Sequence, residues 1–163
     1  MEHRVGPACD LSGRIILTDD QRSKVQNVDI AQNILKSSHT IAMVGLSTNP
    51  NKDSHMVAKF LIDQGFRVIP VHPKADQILG QKVYRKVTDI GEPVDIVNVF
   101  RPSEECALYA KQAVEIHAKA IWLQLNIYSE EAADIATDAG MDIVMNLCIK
   151  IEYNRLLANS DSH

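Results

Sequence analysis

Five short apolar segments alternate with helical patterns along most of this chain, and that alternation restricts the fold more than any other feature of the sequence. The segments are Thr40–Val44, Phe66–Val71, Asp95–Phe100, Ala120–Leu123 and Asp142–Met145. Parallel strands need helical crossovers and are buried on both faces, so strands of this kind separated by helices indicate parallel pairing. The pattern predicts an α/β domain of the Rossmann type: a doubly wound, mainly parallel five-stranded sheet with helices on both faces.

The length of the chain predicts a single domain. A chain of 163 residues has a common single-domain size, and no stretch of its sequence has the composition of a linker. Residues 1–18 are expected to form a flexible N-terminal arm, and residues 19–163 are expected to form a single Rossmann-type α/β domain. Its first helix is expected to run from Thr18 to Ser38, because apolar residues recur there at helical spacing.

The composition disfavours several classes of function. A formal net charge of −4 disfavours broad nucleic-acid binding, which normally needs a basic surface. No apolar run approaches the roughly 20 residues that span a bilayer, and Ile15–Leu17 is too short for a signal peptide, so we expect a cytoplasmic protein without membrane contact. Because Cys9, Cys106 and Cys148 lack metal-site spacing, we expect free thiols and no bound metal.

The loops that follow the strands are the candidate ligand site, because an open parallel sheet binds ligands beyond the carboxyl ends of its strands. The loop Gly45–Ser54 enters a helix, whose N-terminal N–H groups and dipole favour a phosphate. Gly45 permits a tight turn, Ser47 and Ser54 add hydroxyl groups, and Lys52 adds positive charge. An ordinary capped loop between a strand and a helix explains the same residues equally well.

Two features distinguish this site from a typical NAD site. The glycine-rich dinucleotide motif is incomplete, because Leu46 follows the first glycine and Pro50 stands in place of the third. The second strand ends in His72, Pro73 and Lys74, without the acidic residue that holds the ribose of NAD. A lysine there suits a ribose phosphate, which NADP and coenzyme A both carry, although Lys74 is also explained as a solvated surface charge.

Several sequence motifs occur along the chain in the order that is typical of one protein family. They are Val44–Ser47 with Pro50, Lys52 and Ser54; Gly65–Pro73; Ile78–Gly80 with Tyr84; Val94–Val97 with Val99–Arg101; Ala118–Gln124; and Gly140–Met145 with Cys148, Ile151 and Glu152. In these motifs the chain from Thr40 to Leu157, about three quarters of its length, resembles the small CoA-binding domain family. This family is related to the CoA-binding domain of the succinyl-CoA synthetase alpha subunit.

The resemblance implies a domain that binds coenzyme A or an acyl-CoA. It implies that the Gly45–Ser54 loop holds the pyrophosphate, that Pro73 and Lys74 hold the phosphorylated ribose, and that Phe100–Pro102 lies against the adenine. Gln124 and Asn126 are implied to face the pantetheine arm. The implied binding residues are Gly45, Leu46, Ser47, Pro50, Lys52, Ser54, His72, Pro73, Lys74, Phe100, Arg101, Pro102, Gln124 and Asn126.

The sequence departs from the family pattern at two places. His72 stands where the family more often has asparagine, which makes the ribose contact less secure. Asn146 and Leu147 replace a more usual Asp–Arg pair.

No residue is assigned a catalytic role. The larger synthetases of this superfamily use a phosphorylated histidine from a second domain, and His39, His55 and His117 have no acidic neighbour in sequence to orient them. The expected function is therefore a CoA-binding module without autonomous catalysis, either as a homo-oligomer or with a partner enzyme subunit. An NADP-dependent oxidoreductase and a CoA-binding subunit of a multi-chain acyl-CoA synthetase are the alternatives.

Cys148 has two interpretations. It begins the last helix, where a helix N-terminus favours a reactive thiolate that could form a mixed disulfide with the thiol of coenzyme A. The stronger interpretation is that it packs as a small apolar residue, as free cysteines usually do.

Overall fold

The computed structural model describes residues 8–9 and 15–160. The strands are β1 (Ala8–Cys9), β2 (Ile15–Ile16), β3 (Thr40–Val44), β4 (Arg67–Val71), β5 (Gln77–Ile78), β6 (Gln81–Lys82), β7 (Ile96–Val99), β8 (Ala120–Leu123) and β9 (Asp142–Val144). The α-helices are α1 (Asp19–Val25), α2 (Val28–Ser37), α3 (Asp53–Asp63), α4 (Cys106–Glu115), α5 (Glu130–Asp138) and α6 (Ile149–Ser160).

The five predicted strands form one parallel sheet in the order β4-β3-β7-β8-β9. The chain first adds β4 on one side of β3 and then returns to add β7 on the other side. The strand order therefore reverses between β3 and β7, which is the switch point where doubly wound sheets bind their ligands. The predicted fold class is confirmed.

Each face of the sheet is covered by helices, because alternate residues of a strand point to opposite faces. Ala42, Val97 and Ile121 belong to one buried cluster with residues of α4 and α5. Ile41 and Trp122 belong to a second buried cluster with residues of α2, α3 and α6. The sheet is thus buried on both sides, as the apolar composition of its strands predicts.

The first predicted helix is in fact two helices, so its prediction as one continuous element is wrong. The N–H of Gln21 donates to the Thr18 hydroxyl, and the Gln21 side chain bonds back to the Thr18 N–H, which starts α1. The side chain of Asn27 accepts from the N–H of Ile30 and starts α2. The first helix ends at its C-cap residue Gln26, and Asn27, a favoured N-cap residue type, begins the second.

The predicted arm over residues 1–18 falls largely outside the described residues. In its described part, Ala8–Cys9 pairs with Ile15–Ile16 in an antiparallel ladder. The side chain of Leu17 is buried in the core, and the Ile15 N–H donates to the Asn126 side chain over 3.2 Å. The chain therefore joins the packed fold from Ile15 onward, while the flexibility of the arm stays a prediction.

Asp95 ties together the amino ends of the central strands. Its carboxylate accepts from the N–H groups of His39 and Thr40 over 2.7 and 3.0 Å, and Lys119 Nζ lies 3.4 Å away. Burial acts to raise the pKa of Asp95, but the two backbone hydrogen bonds and Lys119 outweigh it and hold the pKa below its ordinary value.

The lowered pKa of Asp95 predicts a pH-dependent contribution to stability. The contribution is complete above the ordinary carboxyl pKa of about 3.9 and is lost as pH falls through the lowered value, because the folded state then binds the proton as well. Asp95→Asn should lower the free energy of unfolding by about 1–3 kcal/mol at pH 7, and the gap to the wild type should narrow toward pH 3. Urea unfolding of both proteins across this pH range measures the difference in their free energies of unfolding.

The exposed residue Asp138 provides the control, since Asp138→Asn also removes one negative charge. A gap between wild type and Asp95→Asn that stays constant down to pH 3 would contradict the assignment.

Candidate functional site

Two adjacent clefts open at the carboxyl ends of the strands, around the switch point between β3 and β7. We call the first the charged cleft. It has a volume of about 510 Å³ and is lined by the loops after β3 and β4 together with Arg85, Arg101, Glu105 and Tyr109. We call the second the apolar cleft. It has a volume of about 480 Å³ and is lined by Asp53, Met56, Val57, Phe100, Gln124, Leu125, Ile127, Cys148, Lys150 and Ile151.

Gly45 begins the loop after β3 and cannot be replaced without strain. Its φ is +80°, and a Cβ atom built on it would lie 2.7 Å from the Phe100 carbonyl oxygen and 2.9 Å from Arg101 Cδ. A φ in this range disfavours residues that carry a Cβ. Gly45 therefore allows the loop to pass directly over the end of β7, where the two clefts meet.

The rest of this loop is held by its own polar side chains. The N–H of Ser47 donates to the Ser54 hydroxyl and the N–H of Asn49 donates to the Ser47 hydroxyl, each over 3.0 Å. His55 Nδ1 lies 2.8 Å from the Ser47 carbonyl oxygen. The two serine hydroxyls that the sequence offers as ligand donors thus organise the loop.

The amino end of α3 lies next to this loop. Its N-cap residue, Lys52, makes no side-chain capping hydrogen bond.

The loop after β4 is held by a residue that sequence reasoning missed. The guanidinium of Arg85 donates to the carbonyl oxygens of His72 and Lys74, each over 3.1 Å, and to that of Ala75. It also donates to the Asp76 carboxylate over 2.9 Å. Arg85 is 13 residues from His72, and a parallel bridge between Val71 and Tyr84 brings it there, so no local spacing predicts the contact.

His72 also stabilises this loop. Its Nδ1 accepts from the N–H groups of Lys74 and Ala75 over 3.1 and 2.9 Å. This is the kind of side-chain bond to the following backbone that asparagine makes in turns. His72 thus supplies a turn-stabilising acceptor where the family more often has asparagine.

Arg101 and Glu105 form an ion pair in the wall of the charged cleft. Arg101 Nη2 lies 2.7 Å from Glu105 Oε2, and its Nε lies 3.4 Å from Glu105 Oε1. The hydrogen bond to Glu105 raises the pKa of Arg101 above its already high value. Tyr109, one turn further along α4, places its hydroxyl 3.5 Å from Glu105. Glu105 and Tyr109 were missed, although the i, i+4 spacing of Arg101 and Glu105 is a visible signal.

The wall of the apolar cleft is supported by Gln124, which is 3% exposed. Its amide nitrogen donates to the Asn98 side-chain oxygen over 2.5 Å, and its amide oxygen accepts from the Ile149 N–H over 3.4 Å. Gln124 thus connects β7 to the start of α6. Met56, Leu125 and Ile151, which also line this cleft, are large exposed apolar side chains.

The structure brings together eight of the fourteen predicted binding residues. Gly45, Leu46, Ser47, His72, Pro73 and Arg101 line the charged cleft, and Phe100 and Gln124 line the apolar cleft. Pro50, Lys52, Ser54, Lys74, Pro102 and Asn126 line neither cleft. Leu46 is fully buried, and its side chain packs in the core. Whether any of the fourteen contacts a ligand stays a prediction.

Asn126 also connects three segments of the fold, while the ligand contact implied for it stays a prediction. It adopts a φ of +65°, and its N–H donates to the Asn146 side chain over 2.7 Å. Its own side chain accepts from Ile15. Asn126 therefore ties the loop after β8 to the loop after β9 and to β2.

Two further features concern metals and membranes. Among the described residues, no group of three or more His, Cys, Asp or Glu side chains could hold a metal ion. Within residues 15–160, each helix is too short or too polar to cross a bilayer.

Comparisons with known proteins agree with this architecture. A family model for a CoA binding domain matches residues 39–154. The chain is 42% identical over 120 residues to the uncharacterized protein YneT of Bacillus subtilis (strain 168), which covers 74% of this chain and 89% of that protein. The solved structure of a hypothetical protein from Pyrococcus horikoshii OT3 matches with a TM-score of 0.76 and 36% identity, over 96% of this chain and 99% of that chain.

A further similarity connects the chain to a much larger enzyme. It is 30% identical over 74 residues to the ADP-forming acetate–CoA ligase of Methanocaldococcus jannaschii, a match that covers 41% of this chain and only 10% of that protein. The family match runs from the start of β3 into α6 and includes every residue that lines the two clefts. The chain therefore belongs to the CoA-binding domain family.

Proposed function

We propose that this protein binds coenzyme A or an acyl-CoA across the two clefts. The observation that carries the proposal is that a cleft containing two arginines adjoins an apolar cleft, and that the two meet at Phe100 and Arg101. Coenzyme A has the matching chemistry, with a phosphate-rich nucleotide at one end and a long, weakly polar pantetheine arm at the other. The nucleotide belongs in the charged cleft, because the switch point of such sheets binds nucleotides.

We further propose a binding role without autonomous catalysis. The two histidines beside the charged cleft support this, because each ring uses Nδ1 for a backbone group: His55 for the Ser47 carbonyl oxygen and His72 for the N–H groups of Lys74 and Ala75. Histidines with this arrangement stabilise loops.

A second candidate follows from the similarity to a segment of the acetate–CoA ligase. In that case the chain is the CoA-binding subunit of a multi-chain acyl-CoA synthetase. The isolated protein should then form no acetyl-CoA from acetate, ATP and coenzyme A. Formation of acetyl-CoA by the isolated protein would contradict both candidates.

Calorimetric titration with coenzyme A, NADP and NAD tests the binding proposal directly. We expect saturable binding of coenzyme A and no binding of NAD. Titration with acetyl-CoA then shows whether an acyl group is accepted. Binding of NADP without binding of coenzyme A would overturn the proposal in favour of a reductase.

The free thiols of Cys106 and Cys148 provide an independent test of where the ligand binds. Cys106 is fully buried, and burial followed by the charge of Glu105 raises its pKa to about 12, so its thiol is protonated and unreactive at pH 8. Cys148 is partly exposed and lines the apolar cleft. Both thiols suit the reducing cytoplasm in which we place the protein.

Iodoacetamide at pH 8 should therefore alkylate Cys148 faster than Cys106, because Cys106 is buried and its pKa is raised. Desulfo-coenzyme A, which lacks the reactive thiol, should slow the alkylation of Cys148 and leave Cys106 unchanged. Mass spectrometry of the peptides that contain each cysteine measures both rates. Equal alkylation of Cys148 with and without saturating ligand would place the ligand elsewhere.

A further inference from the structure

Arg101 lies directly over the first residue of the loop that follows β3. Its Cδ is 2.9 Å from the position that a Cβ of Gly45 would occupy. The preceding residue, Phe100, donates its N–H to the Val44 carbonyl oxygen over 2.9 Å. Arg101 is thus fixed at its backbone to the switch point, while its side chain extends into the charged cleft and stays 45% exposed.

The hydrogen bonds of the two arginines in this cleft separate their roles. A guanidinium has five N–H donors. Arg85 uses four of them, on the carbonyl oxygens of the loop after β4 and on Asp76. Arg101 uses two on Glu105 and also interacts with the Tyr109 side chain, so at least two remain. Arg85 therefore mainly holds the loop, and Arg101 is the arginine of this cleft that keeps more donors for a ligand.

From this difference we propose that Arg101 binds the pyrophosphate of coenzyme A, and that Glu105 is the positioning residue that aims the guanidinium into the charged cleft. Arginine recognises phosphate through paired N–H donors, and holding the side chain in place lowers the entropy lost on binding. The proposal rests on the proposed function. It replaces the adenine contact that the resemblance implies for Arg101 with a phosphate contact.

The first test compares ligands that differ in one phosphate. Arg101→Ala should weaken binding of coenzyme A roughly 10- to 100-fold, as the loss of a charged hydrogen-bonding partner implies. Dephospho-coenzyme A keeps the pyrophosphate and lacks the ribose phosphate. Arg101→Ala should therefore weaken binding of dephospho-coenzyme A by the same factor. The dependence of binding on salt concentration should also become shallower, because a charge–charge contact is gone.

Two results would overturn the assignment of Arg101 to the pyrophosphate. A loss that disappears with dephospho-coenzyme A would assign Arg101 to the ribose phosphate. A loss with unchanged salt dependence would assign it to the adenine. Arg67→Ala is the matched control, since Arg67 forms a similar exposed ion pair with Glu92 and lines neither cleft.

The second test concerns Glu105 and uses a double-mutant cycle. Glu105→Gln should weaken coenzyme A binding roughly 3- to 10-fold in the wild-type background and should have no effect in the Arg101→Ala background, because it acts only through Arg101. Equal loss in both backgrounds would mean that Glu105 acts on the fold alone. Tighter binding by Glu105→Gln would mean that the carboxylate competes with the phosphate. Either result overturns the positioning role.

Inorganic pyrophosphate at millimolar concentration separates this inference from the proposed function. If coenzyme A does not bind but pyrophosphate raises the Tm of the wild type and not of Arg101→Ala, the function fails and the anion site stands. If coenzyme A binds equally to wild type and Arg101→Ala, only the inference fails. If the wild type responds to neither ligand, both fail.

Discussion

Replacing Gly45 with alanine is expected to abolish coenzyme A binding and to destabilise the fold. The new Cβ would lie 2.7 Å from the Phe100 carbonyl oxygen, a backbone atom that cannot rotate away, and the residue would keep a φ of +80°. The unfavourable backbone conformation alone costs about 1–3 kcal/mol, and the contact with β7 adds to it. Moving β7 away from β3 to relieve that contact would change the junction of the two clefts. We expect at least a 100-fold loss of affinity, as a misplaced site implies.

Gly140→Ala is the matched control for this prediction. Gly140 has a φ of +73°, close to that of Gly45, but a Cβ there meets nothing within 4 Å. Gly140→Ala should therefore lose stability only through its unfavourable backbone conformation, and its affinity for coenzyme A should be unchanged. Urea unfolding and calorimetry of both variants measure the two effects. If Gly45→Ala loses no more stability and affinity than Gly140→Ala, the close approach of Gly45 to Phe100 determines neither stability nor binding.

Replacing Trp122 with alanine is expected to have the largest effect on stability of any single change in the sheet. Trp122 lies in β8 with no exposed surface, and its Nε1 donates to the Leu147 carbonyl oxygen over 2.8 Å. Truncation of a buried aromatic side chain to alanine typically costs about 3–5 kcal/mol. Trp122→Phe should cost about 1–2 kcal/mol, since it keeps most of the volume and loses the hydrogen bond.

Unfolding followed by far-UV circular dichroism measures the effect, because the tryptophan fluorescence is lost in these variants. Leu108→Ala, at an exposed position of α4, should change stability by less than about 0.5 kcal/mol. A loss below about 1 kcal/mol for Trp122→Ala would contradict the role given to this residue in the core. Trp122→Phe should also speed alkylation of Cys148, because the bond to Leu147 anchors the segment just before that thiol.

The sheet could be predicted from sequence because each strand carries its own signal. Ile41–Val44 and Ala120–Leu123 are apolar throughout, and the structure buries every residue in both, as expected for strands covered on both faces. The break between α1 and α2 was harder to predict, because the capping bond of Asn27 interrupts a pattern that remains helical on both sides.

The candidate site was less predictable, because its chemistry depends on contacts between distant segments. The loop after β3 could be predicted from sequence, because it connects one strand directly to one helix and both have local signals. Arg85 reaches the loop after β4 only through the pairing of Val71 with Tyr84, which no local pattern encodes. The position of Lys74 after the second strand predicts a contact with the ligand, yet its exposed side chain lines neither cleft.

The strand order also sets a sequence of assembly during synthesis. Every residue of the charged cleft lies between Val44 and Tyr109, and its strands β3, β4 and β7 are neighbours in the sheet. The apolar cleft in addition needs residues up to Ile151, which follow the last strand. Because a nascent chain emerges from its N-terminus, all residues of the charged cleft are synthesised before the last residues of the apolar cleft.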